Sequence, residues 1–414
     1  MSGLGRHTGF DATELVAAGP AAGPADYLAT CAAWRALGPL VQVDHPRFGL
    51  LTIVLGHAEV DEVARDDRRF AHAPWAMLQE PLPPPPQGWP LSLVDVDGPR
   101  HTMLRGLVAA PFARPALERL RGRLADLAGQ LVAEAQRPDR QVDLVAELAM
   151  PYALRGILLA LGIPGSEASM VARITTEPLH WDARAKLGYL DALLRRLAAA
   201  DDPPLAGLLA ADTSVGRSQQ LMLLLSVLTA GYETAGATFA AGLHELMARP
   251  GLLGWPQESA SCRDAYLAAL AEELVRTATP LTGLVRTATT DTELAGAPVP
   301  AARRLWLCFP SADADETVFP APELVHPQRP RARHLAFGGG RHHCLGAGLA
   351  RLQLIELLRV LGAGPIPVPV GQPRYYQHHF LRRYIALPAR WPAVDQTGKS
   401  GRAHCRGARG GSKP

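Results

Sequence analysis

Phe337-Gly338-Gly339-Gly340-Arg341-His342-His343-Cys344-Leu345-Gly346 is a glycine-rich turn that delivers one cysteine to the start of an apolar helical stretch. Glycine permits the tight backbone path, and amides at the start of the following helix face the sulfur and favour its thiolate form. The stretch reads as an iron-binding loop, in which a thiolate pushes electron density toward the metal. An isolated cysteine in apolar surroundings would instead be an inert small hydrophobe. The three glycines, Phe337 seven positions before Cys344 and Gly346 two after it weigh against that alternative.

Helical periodicity dominates the rest of the chain, through about 113–136, 142–161, 185–199, 217–248, 258–278 and 345–362. Alternation from Val41 to Leu55, broken by Asp44-His45-Pro46-Arg47-Phe48-Gly49, predicts a hairpin, and 283–309 predicts another small sheet. The fold class expected is mainly α with small β-sheets. Residues 81–90, Pro-Leu-Pro-Pro-Pro-Pro-Gln-Gly-Trp-Pro, are barred from helix and central strand and predict a polyproline-like surface loop.

A length of 414 residues nominally suggests two or three domains. The residues of one apparent site are scattered from His101 to Cys344, however, so one large domain over 20–391 is expected. Residues 1–19 form an N-terminal extension and 392–414 a disordered basic tail, with a functional basic arm as the alternative. Hydrophobic residues make up 48% of the chain and aromatics 6%, which supports a sizeable core built mostly of Leu, Ala and Val. The net charge of +3 is concentrated in the tail, which carries five Lys or Arg against only Asp395. The remainder is near neutral, and nothing points to nucleic acid.

Five cysteines, Cys31, Cys262, Cys308, Cys344 and Cys405, are odd in number and contain no C-x-x-C pair, which argues against a disulfide framework or a zinc site. Met1 to Leu15 has no apolar segment of signal-peptide type, and the apolar run Leu221 to Ala230 is too short to cross a bilayer. A cytoplasmic protein without membrane attachment is expected.

The cysteine loop, the helical segment Ala230-Gly231-Tyr232-Glu233-Thr234 and the pair Glu273/Arg276 occur in that order, and with them the chain resembles a bacterial cytochrome P450 from about residue 20 to Trp391. The resemblance implies a haem b whose iron takes its axial thiolate from Cys344, within the loop that begins at Phe337 and Gly338. It implies that Thr234 orients a water or peroxide, that Glu233 belongs to a proton relay, and that Ala230 and Gly231 lie beside the iron where the helix is locally opened. Glycine inside a helix costs about 1 kcal/mol relative to alanine, so Gly231 and Gly236 need a reason, and the expected one is room. Taken singly, Thr234 and Glu233 would be an ordinary helix hydroxyl and a solvated carboxylate.

Glu273 and Arg276 share a helix face. Exposed, the pair would be worth ~0–1 kcal/mol; the resemblance implies a buried pair beneath the haem loop. His101 and Arg105, at i and i+4, together with Arg286 and His342, match the positions that hold haem propionates. Several positions depart from the pattern: Ala312-Asp313-Ala314-Asp315 replaces the usual Asn-Arg-Asp-Pro turn, Pro322-Glu323-Leu324-Val325 replaces Pro-x-Arg-Phe, and Gly339 stands where histidine is common. The third partner of Glu273/Arg276 is left open among Arg329, Arg331 and His334, the alternative being a less well supported pair and a haem more easily lost. Tyr232 is bulky enough to intrude into the pocket.

Resemblance further implies electrons from a separate ferredoxin and its NAD(P)H-dependent ferredoxin reductase, with Arg341 and Arg351 as docking charges or plain solvated arginines. The expected substrate is a medium-sized, partly polar small-molecule metabolite of a biosynthetic pathway, bound by a monomer. Trp75, Met77, Leu91, Leu93 and Leu228 would supply an apolar lining, and Arg374, Tyr375, Tyr376, His378 and His379 polar contacts. The same fold performing desaturation, ring formation or oxidative coupling is the nearest alternative. A non-catalytic haem sensor or binding protein would not need Glu233 and Thr234.

Overall fold

The computed structural model describes residues 19–21, 24–45, 49–72, 90–137, 140–176, 183–201, 203–210, 215–255, 259–330, 332–377 and 380–392. In the N-terminal part, β1 (Gly19–Ala21) and α1 (Pro24–Arg35) precede the expected hairpin, β2 (Leu40–His45) and β3 (Gly49–Val54), followed by α2 (His57–Arg65) and β4 (Phe70–His72). Of the proline-rich stretch only Pro90 lies among the described residues.

The helical body follows: α3 (Gly98–Val108), α4 (Arg114–Ala135), the short strand β5 (Val142–Asp143), α5 (Met150–Leu161), α6 (Ala168–Thr176), α7 (Ala183–Ala198), α8 (Arg217–Ala248) and α9 (Ala260–Ala278). A π-helical turn, Val145–Ala149, leads into α5. The 283–309 region folds as expected into β6 (Leu284–Ala288), β7 (Thr292–Leu294), β8 (Ala297–Val299) and β9 (Arg304–Leu307). The helix after the cysteine loop is α10 (Ala347–Gly362), and the chain closes with β10 (Val368–Pro369), β11 (Arg374–Gln377), β12 (Arg382–Ala386) and β13 (Pro388–Arg390).

The largest sheet has the order β2-β3-β9-β6-β4, with β3 and β9 parallel and the other neighbours antiparallel. It sets His72 of β4 directly opposite Arg286 of β6.

Helix α8 is the axis of the core. Its first half packs Leu224 and Leu228 with Ile157, Leu158 and Leu193, and its second half packs Phe239 and Leu243 with Tyr152, Leu270 and Leu354. A helix apolar on nearly every side belongs inside a fold. Among the described residues it alone is long and apolar enough to cross a membrane, but 61% of its most apolar window is buried inside the fold.

The two glycines of α8 are explained by packing rather than by open room. A Cβ on Gly231 would meet Ile157 Cδ1 at 2.9 Å, and one on Gly236 would meet Met150 Sδ at 2.3 Å. Both neighbours belong to α5, so the missing side chains let two helices approach closely. Tyr232, expected to intrude into a pocket, is 8% exposed and packed among core leucines. Helix α8 also runs without interruption from Arg217 to Ala248 rather than opening.

Candidate active site

The cysteine loop is shaped by two left-handed glycines, Gly338 at φ +66° and Gly340 at φ +61°. Gly340 is doubly constrained, because a Cβ there would lie 2.7 Å from the Ala64 carbonyl oxygen at the end of α2. Only glycine combines that conformation with that approach. The Cys344 amide donates to the Phe337 carbonyl at 2.9 Å, tying the sulfur-bearing residue back to the start of the loop. Phe337 lies under the Arg351 guanidinium at 4.5 Å. Leu345 and Leu349 share a core with Leu228 and Tyr232, so the start of α10 is seated against α8.

Cys344 is exposed yet closely surrounded by protein, as a residue lining an internal cleft must be. Burial pushes its thiol up, opposed by the Gly346 and Ala347 amides and by Arg105 and Arg351. A sulfur ringed by amides and cations, yet still favouring its proton, is suited to exchanging that proton for a metal ion.

On α8, Ala230 is exposed and Thr234 half-buried. Thr234 donates its hydroxyl to the Ala230 carbonyl at 2.7 Å. The adjacent Glu233 pairs through Oε1 with Arg383 Nη1 of β12 at 3.3 Å. Arg383 carried no signal in the sequence, since its partner lies 150 residues earlier.

The four expected propionate partners do come together. His101 and Arg105 project from α3, and the His101 ring lies 4.2 Å from that of His342. Arg105 Nη2 donates to the His343 carbonyl at 2.8 Å, clasping the cysteine loop. Arg286 is 2% exposed, and its one hydrogen bond among the described residues goes to the neighbouring Val285 carbonyl. Burial lowers its pKa to about 10. His101 is 1% exposed, and its Nδ1 is buried without a partner.

His342 differs from the other three. Its Nε2 pairs with Asp97 Oδ1 at 2.8 Å, and the same oxygen receives His72 Nδ1 at 3.0 Å. The ring centroids of His72 and His342 lie 3.4 Å apart with the planes tilted by 32°. Burial works to raise the Asp97 carboxyl, but the bonds from His342 and His72 outweigh it and hold it well below the usual carboxylate range. Burial lowers His72 to about 3 and His101 to about 4, so both rings are neutral near pH 7. Asp97 and His72 were not singled out from the sequence. Asp97, just before Gly98-Pro99 at the start of α3, was readable as a helix N-cap, whereas nothing marks His72.

Below the loop, Glu273 and Arg276 form the buried pair that was expected, at 2.8 Å. The third partner left open by the sequence is Arg329, whose Nε reaches Glu273 Oε2 at 3.1 Å. His334 instead pairs with Glu272 at 2.9 Å, and Arg331 lies outside the described residues. The unusual Ala312-Asp313-Ala314-Asp315 turn is also put to use: buried Asp313 accepts the Leu335 amide at 2.5 Å and the Thr279 hydroxyl at 2.8 Å, joining the loop to the end of α9.

The residues fit haem on three grounds. Among the described residues a buried arginine has no ion pair and a buried histidine nitrogen has no partner, and the Cys344 thiol is exposed beside the Arg105 that grips its loop. These are what a flat apolar group with two carboxylates and one iron requires. Residues 256–361 match the family described as Cytochrome P450. The chain is 31% identical over 348 residues to a mycinamicin IV hydroxylase/epoxidase of Micromonospora griseorubida, covering 78% of this chain and 86% of that protein. The chain belongs to the cytochrome P450 family.

A second P450, the monooxygenase PikC of Streptomyces venezuelae, is 29% identical over 91% of this chain and 93% of its own length. The solved P450 CYP108D1 of Novosphingobium aromaticivorans superposes with a TM-score of 0.79 at 26% identity, over 89% of this chain and 95% of that one. The protein is accordingly a P450 monooxygenase with haem as cofactor and a cysteine thiolate as axial ligand. It acts on a small molecule.

Of the expected substrate-lining residues, Trp75, Met77, His378 and His379 lie outside the described residues. Leu228 is wholly buried in the core, and Tyr375 packs edge-on to Tyr384 at 5.1 Å. A groove of about 360 Å³ lined by Gln141, Gln372 and Arg374 sits at the β5/β13 edge; of the expected substrate-contacting residues it contains Arg374, and it contains none of the haem or proton-relay residues.

Proposed function

We propose that this P450 oxidises a C–H bond of a secondary metabolite with dioxygen, using Cys344 as haem ligand and Glu233 and Thr234 to manage protons. Haem supplies the oxygen activation when bound. The observation that carries the reading is the arrangement of Thr234. Its hydrogen is given to the Ala230 carbonyl, so the hydroxyl oxygen presents only lone pairs to the cleft. A hydroxyl held this way accepts from a water and orients that water's second proton toward the reaction centre. Arg383 fixes Glu233 Oε1 and leaves Oε2 to receive protons from solvent and hand them on. Ala230 keeps the adjoining surface small.

Arg286, Arg105 and His101 are proposed to hold the propionates. His342, committed to Asp97, closes the cleft edge by packing against the His72 and His101 rings rather than by direct donation. Phe337, Gly338 and Gly231 act by shaping the loop and the α8–α5 contact. Relatives named as a hydroxylase/epoxidase of mycinamicin IV and a nocardicin C N-oxygenase support a partly polar natural product as substrate. A third relative, a biflaviolin synthase, supports oxidative coupling as the second reading.

Electrons are proposed to come from a separate ferredoxin and its NAD(P)H-dependent reductase, to a monomer in the cytoplasm. Arg341 is already paired with Asp67 at 2.6 Å and Arg351 with Glu272 at 2.5 Å. Both would therefore add little to docking; reduction rates insensitive to charge reversal at the two positions are expected. The domain is proposed to span 20–391, between the short extension and the basic tail.

Thr234→Ala tests the central claim. It should leave the substrate-induced low-to-high-spin shift intact while product formed per NAD(P)H consumed falls at least several-fold. Unchanged coupling would refute the proton role.

A further inference from the structure

Cys31 of α1 and Cys308 at the end of β9 lie 277 positions apart in sequence, yet their sulfurs are 3.9 Å apart and neither residue has any exposed surface. The Tyr27 hydroxyl is 3.7 Å from Cys308 Sγ. Over the Tyr27 ring, at 5.0 Å, sits the guanidinium of Arg382. Arg382 is 2% exposed. Its Nε donates to the Thr279 carbonyl at 3.1 Å and its Nη2 to the Ala278 carbonyl at 3.2 Å, while Nη1 has no partner. No carboxylate pairs with it among the described residues.

A buried cation lacking a counter-ion is strongly unfavourable. Within this cluster the group able to supply negative charge is Cys308, whose sulfur lies 3.9 Å from Cys31 Sγ and 3.7 Å from the Tyr27 hydroxyl; Glu245, which lines a cavity with Arg382, pairs instead with Arg249. Burial works to raise its thiol, but Cys31, the Ser311 amide, Tyr27 and Arg382 together bring it below its ordinary value, while Cys31 and Tyr27 are pushed up. Cys308 is thus the more readily deprotonated sulfur of the pair and Cys31 its proton-bearing neighbour.

We propose that Cys308 and Cys31 are a redox-active dithiol that a peroxide converts to a disulfide, with Cys308 attacking and Cys31 resolving. The Cys308 thiolate attacks one peroxide oxygen; an S–O bond forms, the O–O bond breaks, and the departing hydroxide takes a proton to become water. Cys31 sulfur then attacks the Cys308 sulfenic sulfur, and its proton leaves with the hydroxyl as a second water. Two thiols lose two electrons and hydrogen peroxide gains them. The sulfurs must close from 3.9 Å to about 2.05 Å, a shift within reach of side-chain rotation and slight movement of α1. Arg382 and Pro24, the first residue of α1, line a cavity of about 40 Å³ that admits molecules the size of water or peroxide to the Arg382 end of the cluster; neither sulfur lines it. Oxidation changes the group facing Arg382, next in sequence to the Arg383 that pairs with Glu233.

The haem-loaded protein is treated with excess hydrogen peroxide, denatured in N-ethylmaleimide, digested and analysed by mass spectrometry. Exposed Cys262 serves as internal reference. The expected product is a Cys31–Cys308 cross-linked peptide two hydrogens lighter than the free pair, at least tenfold enriched over untreated protein and cleaved by dithiothreitol. Cys31→Ser should leave Cys308 as a sulfenic acid that dimedone traps, and Cys308→Ser should leave Cys31 unmodified. Recovery of both cysteines as maleimide adducts from wild-type protein in which Cys262 has been oxidised overturns the proposal, whether or not the variants fold.

Discussion

Two buried clusters of charge flank the cysteine loop, and they differ in how completely they are satisfied. In the cluster under the loop, Glu273 takes Arg276, Arg329 and the His326 amide, and Arg276 also donates to the Asp313 and Pro322 carbonyls at 2.9 and 2.8 Å. Every arm of that network ends on protein. At the haem edge, among the described residues, the Arg286 side chain has only a neighbouring carbonyl and His101 Nδ1 has no partner. The first arrangement is complete in the protein alone and holds the fold together. The second is complete only with an anionic ligand, which is why its disorder of charge is tolerated. Saturation of hydrogen bonds therefore separates structural charges from ligand-binding ones more cleanly than burial does, since both clusters are buried.

The comparison is sharpest at Arg276. Arg276→Ala leaves Glu273, in a site with 10% side-chain exposure, only Arg329 and the His326 amide, and should cost up to ~3–5 kcal/mol, read as a lowered denaturation midpoint with loss of haem. Arg286→Leu should do the opposite to the apoprotein, leaving its stability equal or higher, while haem transfer to apomyoglobin accelerates at least tenfold, about 1.4 kcal/mol. If Arg286→Leu destabilised the apoprotein as Arg276→Ala does, the distinction between the clusters would collapse.

Acid probes the haem edge next. His72 is held at about 3 in the folded chain, against about 6.5 unfolded. Between those values the unfolded state binds the extra proton, so stability is lost as pH falls below about 6.5. His72 alone should contribute a fall of about 1–2 kcal/mol in urea melts from pH 6.5 to 5, and His72→Gln should remove that share while the similar share of His101, held at about 4, persists. The smallest effect is expected at Arg341, whose ion pair with Asp67 has side-chain exposures of 43% and 20%. Arg341→Gln should shift stability by less than about 0.5 kcal/mol, which thermal melts would register as almost no change.

What the sequence revealed follows from the range of each interaction. Helix α8 was readable nearly to the residue because periodic leucines report on burial locally. Cys344 and its glycines were readable because backbone conformation is a local property, as φ at Gly338 and Gly340 shows. The glycines of α8 were misread because the cost of glycine in a helix reveals that a close approach exists but not what approaches. Ile157 and Met150 could be identified only once α5 was packed. Arg329 could be shortlisted but not chosen, and Arg383, His72 and Asp97 act through partners brought together by the sheets. Substituting Asp313 for the usual turn looked like a loss of support, yet its carboxylate takes over the cross-linking.

The parallel pairing of β3 with β9, in register from Leu51↔Arg304 to Val54↔Leu307, sets a timetable for biosynthesis. A ribosome adding about 5–20 residues per second leaves the N-terminal hairpin waiting on the order of tens of seconds for its neighbour strand. Throughout that interval β3 offers Leu51 and Ile53 on an open edge, so the nascent chain is most vulnerable to aggregation at its beginning and depends on holding chaperones until the second half arrives.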